Sequence, residues 1–169
     1  MRVVPAQRSV WRSGGGVPVA RGSGYAMRTT VLLVDDDPSA VDVVRDVFER
    51  DGATTDLEVV TGGDEALAYL EACVDGDGPT QPDLVLLDVS VPDEDCHEVL
   101  ETIKTDPVLG RVPVVVLSPS VSNEGCLPYY RRYANTVLRK PDDPEEYADV
   151  IRSVEQFWLS TARLPRSNP

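Results

Sequence analysis

The sequence predicts an α/β fold: a doubly wound, five-stranded parallel sheet with helices on both faces. Three observations predict it. Short apolar runs without polar interruption recur along the chain, which is typical of strands buried on both faces of a sheet. Segments whose apolar residues recur with helical spacing separate these runs. Runs and segments alternate strictly, which is the pattern of parallel strands joined by crossover helices.

The five predicted strands differ in their polarity. Residues 31–34, 84–87 and 114–117 are apolar throughout, so we expect them at the centre of the sheet. Residues 57–60 and 136–139 mix apolar and polar side chains, so we expect them at its edges.

Helical segments lie between and after the strands. Their apolar positions are, in chain order, Val41, Val44 and Phe48; Ala66, Leu67 and Leu70; Val99, Leu100 and Ile103; and Tyr147, Val150, Ile151, Val154 and Trp158. Pro38 and Pro144 suit the first turn of the first and last of these helices. Asp106-Pro107 is a predicted end of the third.

The helix before the last strand is the least regular. Pro128 falls inside the segment 122–134, and a proline in a helix interior costs about 3 kcal/mol or more. We therefore expect a loop over 120–127 and a short helix that begins at about Pro128.

The length of 169 residues fits one domain with modest tails. We place the domain at 27–164 and tails at 1–26 and 165–169. The first tail holds five of the 12 glycines and four arginines without an acid. It is interpreted as a flexible tail, with a basic arm that docks on an acidic partner as the alternative.

Charge excludes some functions. The formal net charge is −13, so the surface repels phosphate backbones and nucleic-acid binding is disfavoured.

No apolar run approaches the roughly 20 residues of a membrane-spanning helix, so membrane insertion is excluded. The chain is rich in Asp and has only two lysines, Lys104 and Lys140, which indicates a salt-loving host or an ordinary acidic protein.

The cysteines indicate a reducing compartment. Cys73, Cys96 and Cys126 are odd in number and form no CxxC pair, which favours reduced thiols in the cytoplasm over disulfides. His97 is the only histidine and cannot supply a metal site by itself, so its position beside Cys96 is interpreted as coincidence.

Polar residues follow the predicted strands where each one ends. Asp35, Asp36 and Asp37 follow the first strand, Asp88 the third, Ser118 the fourth and Lys140 the fifth. Ligands of such sheets bind at the carboxyl ends of the strands. Crowded carboxylates need a cation, and a hard ion such as Mg²⁺ fits them while leaving positions for phosphate oxygens. The alternative interpretations are a helix N-terminus for Asp37 and an exposed surface lysine for Lys140.

These residues resemble a known family. VLLVDDDP (31–38), DLVLLDVSVP (83–92), VVVLS (114–118) and LRKP (138–141) are similar to motifs of the receiver domain of two-component response regulators. The resemblance covers about 27–164 and implies the strand order 2-1-3-4-5. The segments VIRSVEQFWL (150–159) and ARLP (162–165) resemble the stand-alone regulators paired with bacteriophytochromes and their haloarchaeal relatives. With no effector domain after it, the chain is expected to be a single-domain regulator.

The resemblance also implies a role for each site residue. Asp88 is implied as the acceptor of a phosphoryl group from a sensor histidine kinase. Asp35, Asp36, Asp88 and the Ser90 carbonyl are implied as Mg²⁺ ligands, with Asp35 acting through water. Lys140 is implied to bind a phosphoryl oxygen, and the Ser118 hydroxyl to move toward the phosphoryl group. The implied activity is self-phosphorylation and self-dephosphorylation rather than turnover of an external substrate.

Four positions depart from the family pattern. Cys96 stands where a glycine is usual, and Pro119 where a small residue is usual. Val137 replaces the switch aromatic of the fifth strand, and Pro128 interrupts the fourth helix. The sequence therefore predicts complete phosphorylation machinery with an atypical output surface.

Two other functions fit parts of the sequence. In a haloacid-dehalogenase-like phosphatase, Asp35 would be the nucleophile beside Asp37, Ser118 and Lys140, but Asp88 would have no role. A receiver that is never phosphorylated and serves as an interaction module would fit the altered output positions.

An apolar stripe follows the last helix. Phe157, Trp158, Leu159 and Leu164 extend beyond its usual end, either as a contact surface or as packing on the protein's own sheet. The resemblance to phytochrome-associated regulators implies a symmetric homodimer through this region.

Overall fold

Five parallel strands and five α-helices alternate in the computed structural model, which describes residues 28–50, 53–76, 78–90 and 93–165. The strands lie in the order β2-β1-β3-β4-β5, which confirms the predicted fold class and strand order. The strands are β1 (Thr29–Val34), β2 (Thr55–Val60), β3 (Leu84–Asp88), β4 (Val114–Ser118) and β5 (Thr136–Arg139). The helices are α1 (Pro38–Phe48), α2 (Gly63–Val74), α3 (Asp93–Thr105), α4 (Asn123–Arg131) and α5 (Pro144–Val154).

The three central strands are buried throughout. Every residue of β1, β3 and β4 is buried, because helices cover both faces of the sheet. Alternate side chains of each strand enter two separate apolar clusters. One cluster includes residues of α2, α3 and α4, and the other includes residues of α1 and α5. β2 and β5 form the edges, as their mixed polarity predicts, and β2 begins at Thr55, two residues before the predicted run.

Helices α1 and α5 begin with the same local chemistry. The Asp37 carboxylate accepts a hydrogen bond from the Ser39 N–H at 2.9 Å, and Asp143 accepts from the N–H groups of Glu145 and Glu146 at 2.9 and 3.0 Å. A proline follows each cap, where its missing N–H has no helical partner to lose. Both helices thus start next to the carboxyl edge of the sheet, where β1 and β5 end.

The prediction for α4 is wrong. Helix α4 begins at Asn123, and Pro128 lies inside it rather than at its start. The Ser122 hydroxyl caps the helix by accepting from the Gly125 N–H at 3.0 Å, and the Cys126 N–H donates to the Ser122 carbonyl at 3.0 Å. The cap and the burial of Tyr129 offset the single hydrogen bond that Pro128 cannot make.

Helix α4 ends in a strained turn. Tyr133 has φ of 64°, in the left-handed region that favours glycine, and it is 76% exposed. The Ala134 N–H donates to the Tyr129 carbonyl at 3.1 Å, which closes the helix end. An exposed aromatic ring therefore stands at a backbone position that glycine would occupy at lower energy.

A side chain of α4 forms a hydrogen bond with the backbone of strand β5. The Val137 N–H donates to the Tyr130 hydroxyl at 3.2 Å, which satisfies a backbone group at the edge of the sheet. Tyr130 itself is 48% exposed. Its ring thus joins the surface of α4 to the edge strand.

The chain continues past α5 as a π-helix (Glu155–Thr161). Its wider turns show in the backbone hydrogen bond from the Ala162 N–H to the Phe157 carbonyl at 2.7 Å, which spans five residues. The Thr161 hydroxyl also donates to the Gln156 carbonyl at 2.9 Å. Trp158 and Leu159 pack against the α1/α5 cluster, whereas Phe157 is 54% exposed. Two residues of the apolar stripe, Trp158 and Leu159, thus pack on the protein itself, and Phe157 remains exposed.

Other predictions have mixed outcomes. Cys73, Cys96 and Cys126, all of which lie in the described residues, form no disulfide with one another. The His97 ring packs on the Tyr129 ring, with centroids 5.3 Å apart. Among the described residues, no helix combines the length and the apolar character that crossing a bilayer requires. The predicted tail at 1–26 lies outside the described residues, as does 166–169 of the C-terminal tail.

Candidate functional site

Four strands deliver polar side chains to one edge of the sheet. Asp35 follows β1, Asp88 and Ser118 end β3 and β4, and Lys140 follows β5. β1, β3, β4 and β5 are neighbours and parallel, so their carboxyl ends share this edge. Asp35, Asp88 and Ser118 are buried although they are polar, at 0%, 0% and 7% exposed. Their burial requires partners, and the structure provides them.

Lys140 joins the two buried carboxylates. Its Nζ donates to Asp35 Oδ2 at 2.8 Å and to Asp88 Oδ2 at 2.9 Å. The lysine side chain is 11% exposed, so both ion pairs lie away from bulk water. The backbone N–H of Lys140 donates to the Ser118 carbonyl at 2.7 Å, which fixes the lysine to the end of β4. The ammonium group is therefore held between the two acids by backbone and side-chain contacts.

Burial and charge shift the pKa values in this cluster. Burial raises the pKa of Asp35 above its ordinary value, and the Lys140 ammonium only partly offsets it. Burial acts to lower the pKa of Lys140, but its hydrogen bonds to Asp35 and Asp88 outweigh it and raise that pKa. The lysine therefore stays charged, while the charge on Asp35 is held at a cost in free energy.

The phosphoacceptor candidate is oriented by its own loop. Asp88 Oδ1 accepts from the Ser90 N–H at 3.2 Å and from the Ser90 hydroxyl at 3.0 Å. The Cys96 thiol donates to the Asp88 carbonyl at 3.2 Å. Cys96 is buried in the α2/α3/α4 cluster, where it packs as a small apolar side chain. The departure at position 96 thus adds a contact behind Asp88.

Three carboxylates are placed to hold a metal ion. One oxygen each of Asp35, Asp36 and Asp88 lie within 4.8 Å of one another, with Asp36 exposed and the other two buried. All three donors are hard oxygens, which Mg²⁺ prefers, and the exposed Asp36 leaves solvent access for bound water. The residues present therefore fit the ion that the sequence predicts, and they do so next to the Lys140 ammonium.

The Ser118 hydroxyl pairs with its own turn. It donates to the Ser120 carbonyl at 2.8 Å, within the turn that contains Pro119. The sequence placed Ser118 at this edge of the sheet, and the structure confirms the position of its backbone. It does not bring the hydroxyl into the hydrogen-bonded set of Asp35, Asp88 and Lys140.

A cavity of about 230 Å³ opens beside Lys140, between the starts of α1 and α5. Its lining includes Asp37, Ser39, Ser90, Pro119, Lys140 and Tyr147. The Lys140 ammonium lies over the Tyr147 ring, 5.7 Å from its centroid. Sequence analysis placed Tyr147 only on the apolar face of α5. Its place four residues after the Asp143 cap, next to the end of β5, is the signal that could have linked it to the site.

Comparisons with known proteins identify the family of the chain. The family model of the response regulator receiver domain matches residues 31–152. The chain is 32% identical over 135 residues to the response regulator Rcp1 of Synechocystis, which covers 80% of this chain and 92% of that protein.

Solved structures give the same result. The fold is similar to that of the phosphorylated cyanobacterial phytochrome response regulator RcpA, with a TM-score of 0.76, 33% identity, and coverage of 82% of this chain and 99% of that one. It is also similar to a Mn²⁺-bound form of Rcp1, with a TM-score of 0.74, 32% identity, and the same coverage.

Proposed function

The chain belongs to the response regulator receiver domain family, and from that membership we propose that it accepts a phosphoryl group from a sensor histidine kinase on Asp88. The observation that carries the proposal is the convergence of Asp35, Asp88 and Lys140 at one buried point of the sheet edge. Three cysteines that form no disulfide with one another suit a reducing compartment, and we place the transfer in the cytoplasm.

The proposed reaction is a single displacement at phosphorus. A carboxylate oxygen of Asp88 attacks the phosphorus of a phosphohistidine, the new O–P bond forms, and the N–P bond breaks with its electron pair left on the imidazole. The Ser90 N–H and the Lys140 ammonium already donate to the Asp88 carboxylate, so both are placed to stabilise charge on the transferred group. Catalysis is then mainly positioning and electrostatics.

We assign Asp35, Asp36, Asp88 and the Ser90 carbonyl as the residues that would hold Mg²⁺. When bound, the ion supplies positive charge that neutralises the oxygens of the phosphoryl group. The clustered oxygens support the assignment, and so does the Mn²⁺-bound form of a relative that is 32% identical. Asp35 and Asp88 also keep Lys140 between them, so the chain contributes a second cation of its own.

The output step is assigned to the turn after β4. Breaking the hydrogen bond from the Ser118 hydroxyl to the Ser120 carbonyl would free that hydroxyl to donate to a phosphoryl oxygen. The loop that contains Pro119 and leads to the Ser122 cap of α4 would move with it. In this way, the chemistry at Asp88 would change the exposed surface of α4 and β5.

Phosphoryl incorporation tests the proposal. The protein is incubated with Mg²⁺ and acetyl phosphate, or with candidate phosphorylated kinases, and the modified residue is located by mass spectrometry. We expect one phosphoryl group on Asp88, none in Asp88→Asn, and full incorporation in the control Asp42→Asn, which changes an exposed aspartate of α1. Incorporation on Asp35 would instead support the phosphatase-like alternative.

A receiver that is never phosphorylated is the second candidate. Val137 in the place of the switch aromatic and the strained, exposed Tyr133 favour it, because both alter the surface through which a receiver signals. Under this function, the wild-type protein would accept no phosphoryl group from any donor, and beryllofluoride with Mg²⁺ would leave its spectra unchanged.

We further propose a homodimer through the segment after α5. Phe157 is exposed and stacks edge-on against Trp158, with ring centroids 5.1 Å apart, so a rigid aromatic pair is presented at the surface. Sedimentation at high protein and salt concentration should give a dimer for the wild type and a monomer for Phe157→Ser. A wild-type monomer under those conditions would contradict the proposal.

A further inference from the structure

Tyr147 occupies a special place beside the phosphorylation site. It lies in the first turns of α5 and is 2% exposed. Its ring packs with the α1/α5 cluster, which includes Val31, Leu33 and Leu117 of the central strands. The same ring lines the cavity next to Lys140 and lies beneath the lysine ammonium. A residue of the core is therefore in contact with the ammonium group that bridges the two acids.

The hydroxyl of Tyr147 has no partner. It is buried, and it makes no hydrogen bond within the part of the chain that the structure describes. A buried hydroxyl without a partner destabilises a protein relative to a paired one. Phenylalanine would fill the same space without that cost. The resting protein thus keeps a polar atom here that does nothing for its stability.

The surroundings of this hydroxyl are anionic. Burial first, and then the charges of Asp35, Asp88 and Asp37, raise the pKa of Tyr147, so the group remains a neutral O–H donor at every physiological pH. A neutral donor whose ring lines the cavity beside Lys140 is complementary to added negative charge. The transfer proposed above adds such charge, because a phosphoryl group brings its anionic oxygens to Asp88.

The hydrogen bonds of Lys140 must also change when the phosphoryl group arrives. At rest, its ammonium donates to both Asp35 and Asp88. An ammonium group drawn toward a phosphoryl oxygen weakens its bond to Asp35, whose carboxylate is fully buried and needs every donor it has. The phosphorylated site therefore contains more anionic oxygens than the resting site, and a further neutral donor would add to the contacts proposed above for Lys140, Ser90, Ser118 and Mg²⁺.

We propose that Tyr147 is a positioning residue of the phosphorylated state: its ring supports the Lys140 ammonium, and its hydroxyl donates to an anionic oxygen of the occupied site. This inference rests on the proposed phosphorylation of Asp88. The hydroxyl is unpaired at rest and paired when the site is occupied, so it favours the occupied state selectively. Such selectivity separates this role from ordinary core packing.

The test compares Tyr147→Phe with the wild type, using beryllofluoride and Mg²⁺ as the phosphoryl mimic. Loss of one hydrogen bond to a charged group should weaken beryllofluoride binding about tenfold. The affinity for Mg²⁺ alone should not change, and the resting variant should be at least as stable as the wild type. A near-ultraviolet difference spectrum of a tyrosine hydroxyl gaining a partner should accompany binding in the wild type and be absent from the variant.

Tyr69→Phe is the matched control. Tyr69 is also a buried tyrosine, but its hydroxyl donates to the Thr80 carbonyl at 2.9 Å on the other side of the sheet. This variant should lose stability and keep wild-type affinity for beryllofluoride. Equal affinity in Tyr147→Phe and the wild type would overturn the role of Tyr147 and leave the proposed function intact. A wild-type protein that binds no beryllofluoride and accepts no phosphoryl group would overturn the proposed function itself.

Discussion

The pocket of Asp35, Asp88 and Lys140 and the face formed by α4 and β5 belong to the same domain, yet they differ in how strictly they follow the receiver pattern. In the pocket, Asp35, Asp88 and Lys140 are buried and joined by hydrogen bonds of 2.8 and 2.9 Å. On the other face, a proline lies inside α4, a tyrosine holds a left-handed turn, and a valine stands in β5 at the place of an aromatic switch.

The difference follows from burial. Removing Lys140 would leave the two buried carboxylates without their cation, and such a loss destabilises a protein by several kcal/mol. A change on a half-exposed helix surface usually alters stability by less than about 0.5 kcal/mol. The α4/β5 face can therefore adapt to a particular partner while the chemistry of the pocket stays the same.

The largest expected effect is on phosphoryl incorporation, and it should distinguish Lys140 from Lys104, the other lysine of the chain. Lys140→Met should lower phosphoryl incorporation about 100-fold, because it removes a positioned positive charge from the transferred group. Lys104 is the matched control. It lies at the opposite end of the sheet, where its ammonium donates to the Val112 and Asn135 oxygens. Lys104→Met should reduce stability and leave incorporation unchanged, and a similar loss of incorporation in both variants would refute the comparison.

The second prediction tests how far the buried charge of Asp35 lowers the free energy of unfolding. Asp35→Asn should raise the free energy of unfolding by about 1 kcal/mol in metal-free buffer while abolishing tight Mg²⁺ binding. The raised pKa of Asp35 means that its contribution to stability is present below its ordinary value of 3.8 and is lost as pH rises through the raised value. The advantage of the variant should therefore appear as pH increases, measured by urea unfolding with EDTA.

Asp36→Asn is the control for that experiment. Asp36 is exposed, so the variant should weaken Mg²⁺ binding without a gain in stability. If both variants changed stability equally, burial would not be the origin of the effect.

A smaller effect is expected at the end of α4. Tyr133→Gly should raise the free energy of unfolding by about 1 kcal/mol, because glycine adopts a φ of 64° without steric cost. Gly76, with φ of 81°, is the reverse control, and Gly76→Ala should lower stability by a similar amount. Phosphoryl incorporation on Asp88 should stay at the wild-type level in both variants. A loss of stability in Tyr133→Gly would show that the ring makes contacts worth more than the strain.

The smallest effect concerns the edge strand. Tyr130→Phe removes the acceptor of the Val137 N–H and should lower stability by roughly 0.5 kcal/mol, at the low end for a half-exposed hydrogen bond. Hydrogen exchange measured by NMR should show faster exchange at Val137 than in the wild type. If beryllofluoride alone accelerates exchange at Val137 in the wild-type protein, Tyr130 takes part in the output step and the two regions are more tightly linked than their sequences indicate.

Much of the fold could be predicted from the sequence because buried parallel strands leave a strong local pattern. The apolar runs 84–87 and 114–117 mark central strands, and the polar residue that ends each run marks the site edge. The prediction places the start of α4 too late because it considers only the backbone N–H that Pro128 lacks. The Ser122 cap and the buried Tyr129 ring, which offset that loss, depend on packing that the local sequence does not display.

Side-chain directions within the site could not be predicted. Whether the Ser118 hydroxyl turns to Ser120 or to Asp88 depends on one rotamer, and nothing in the sequence selects it. Tyr147 has the spacing of an ordinary core residue, and the acids whose charges raise the pKa of its hydroxyl come from chain segments 59 to 112 residues earlier. Only the folded sheet brings these groups together.

The π-helix after α5 has a consequence for how the aromatic pair could evolve. Because its turns contain more residues than those of an α-helix, the residues that follow α5 point in different directions from those that a continued α-helix would give them. The outward direction of Phe157 thus depends on how many residues are wound into the segment, and less on which residues they are. Substitutions there should tune an association in small steps. A one-residue deletion would instead rotate every residue that follows it about the helix axis and change the direction of the whole surface at once.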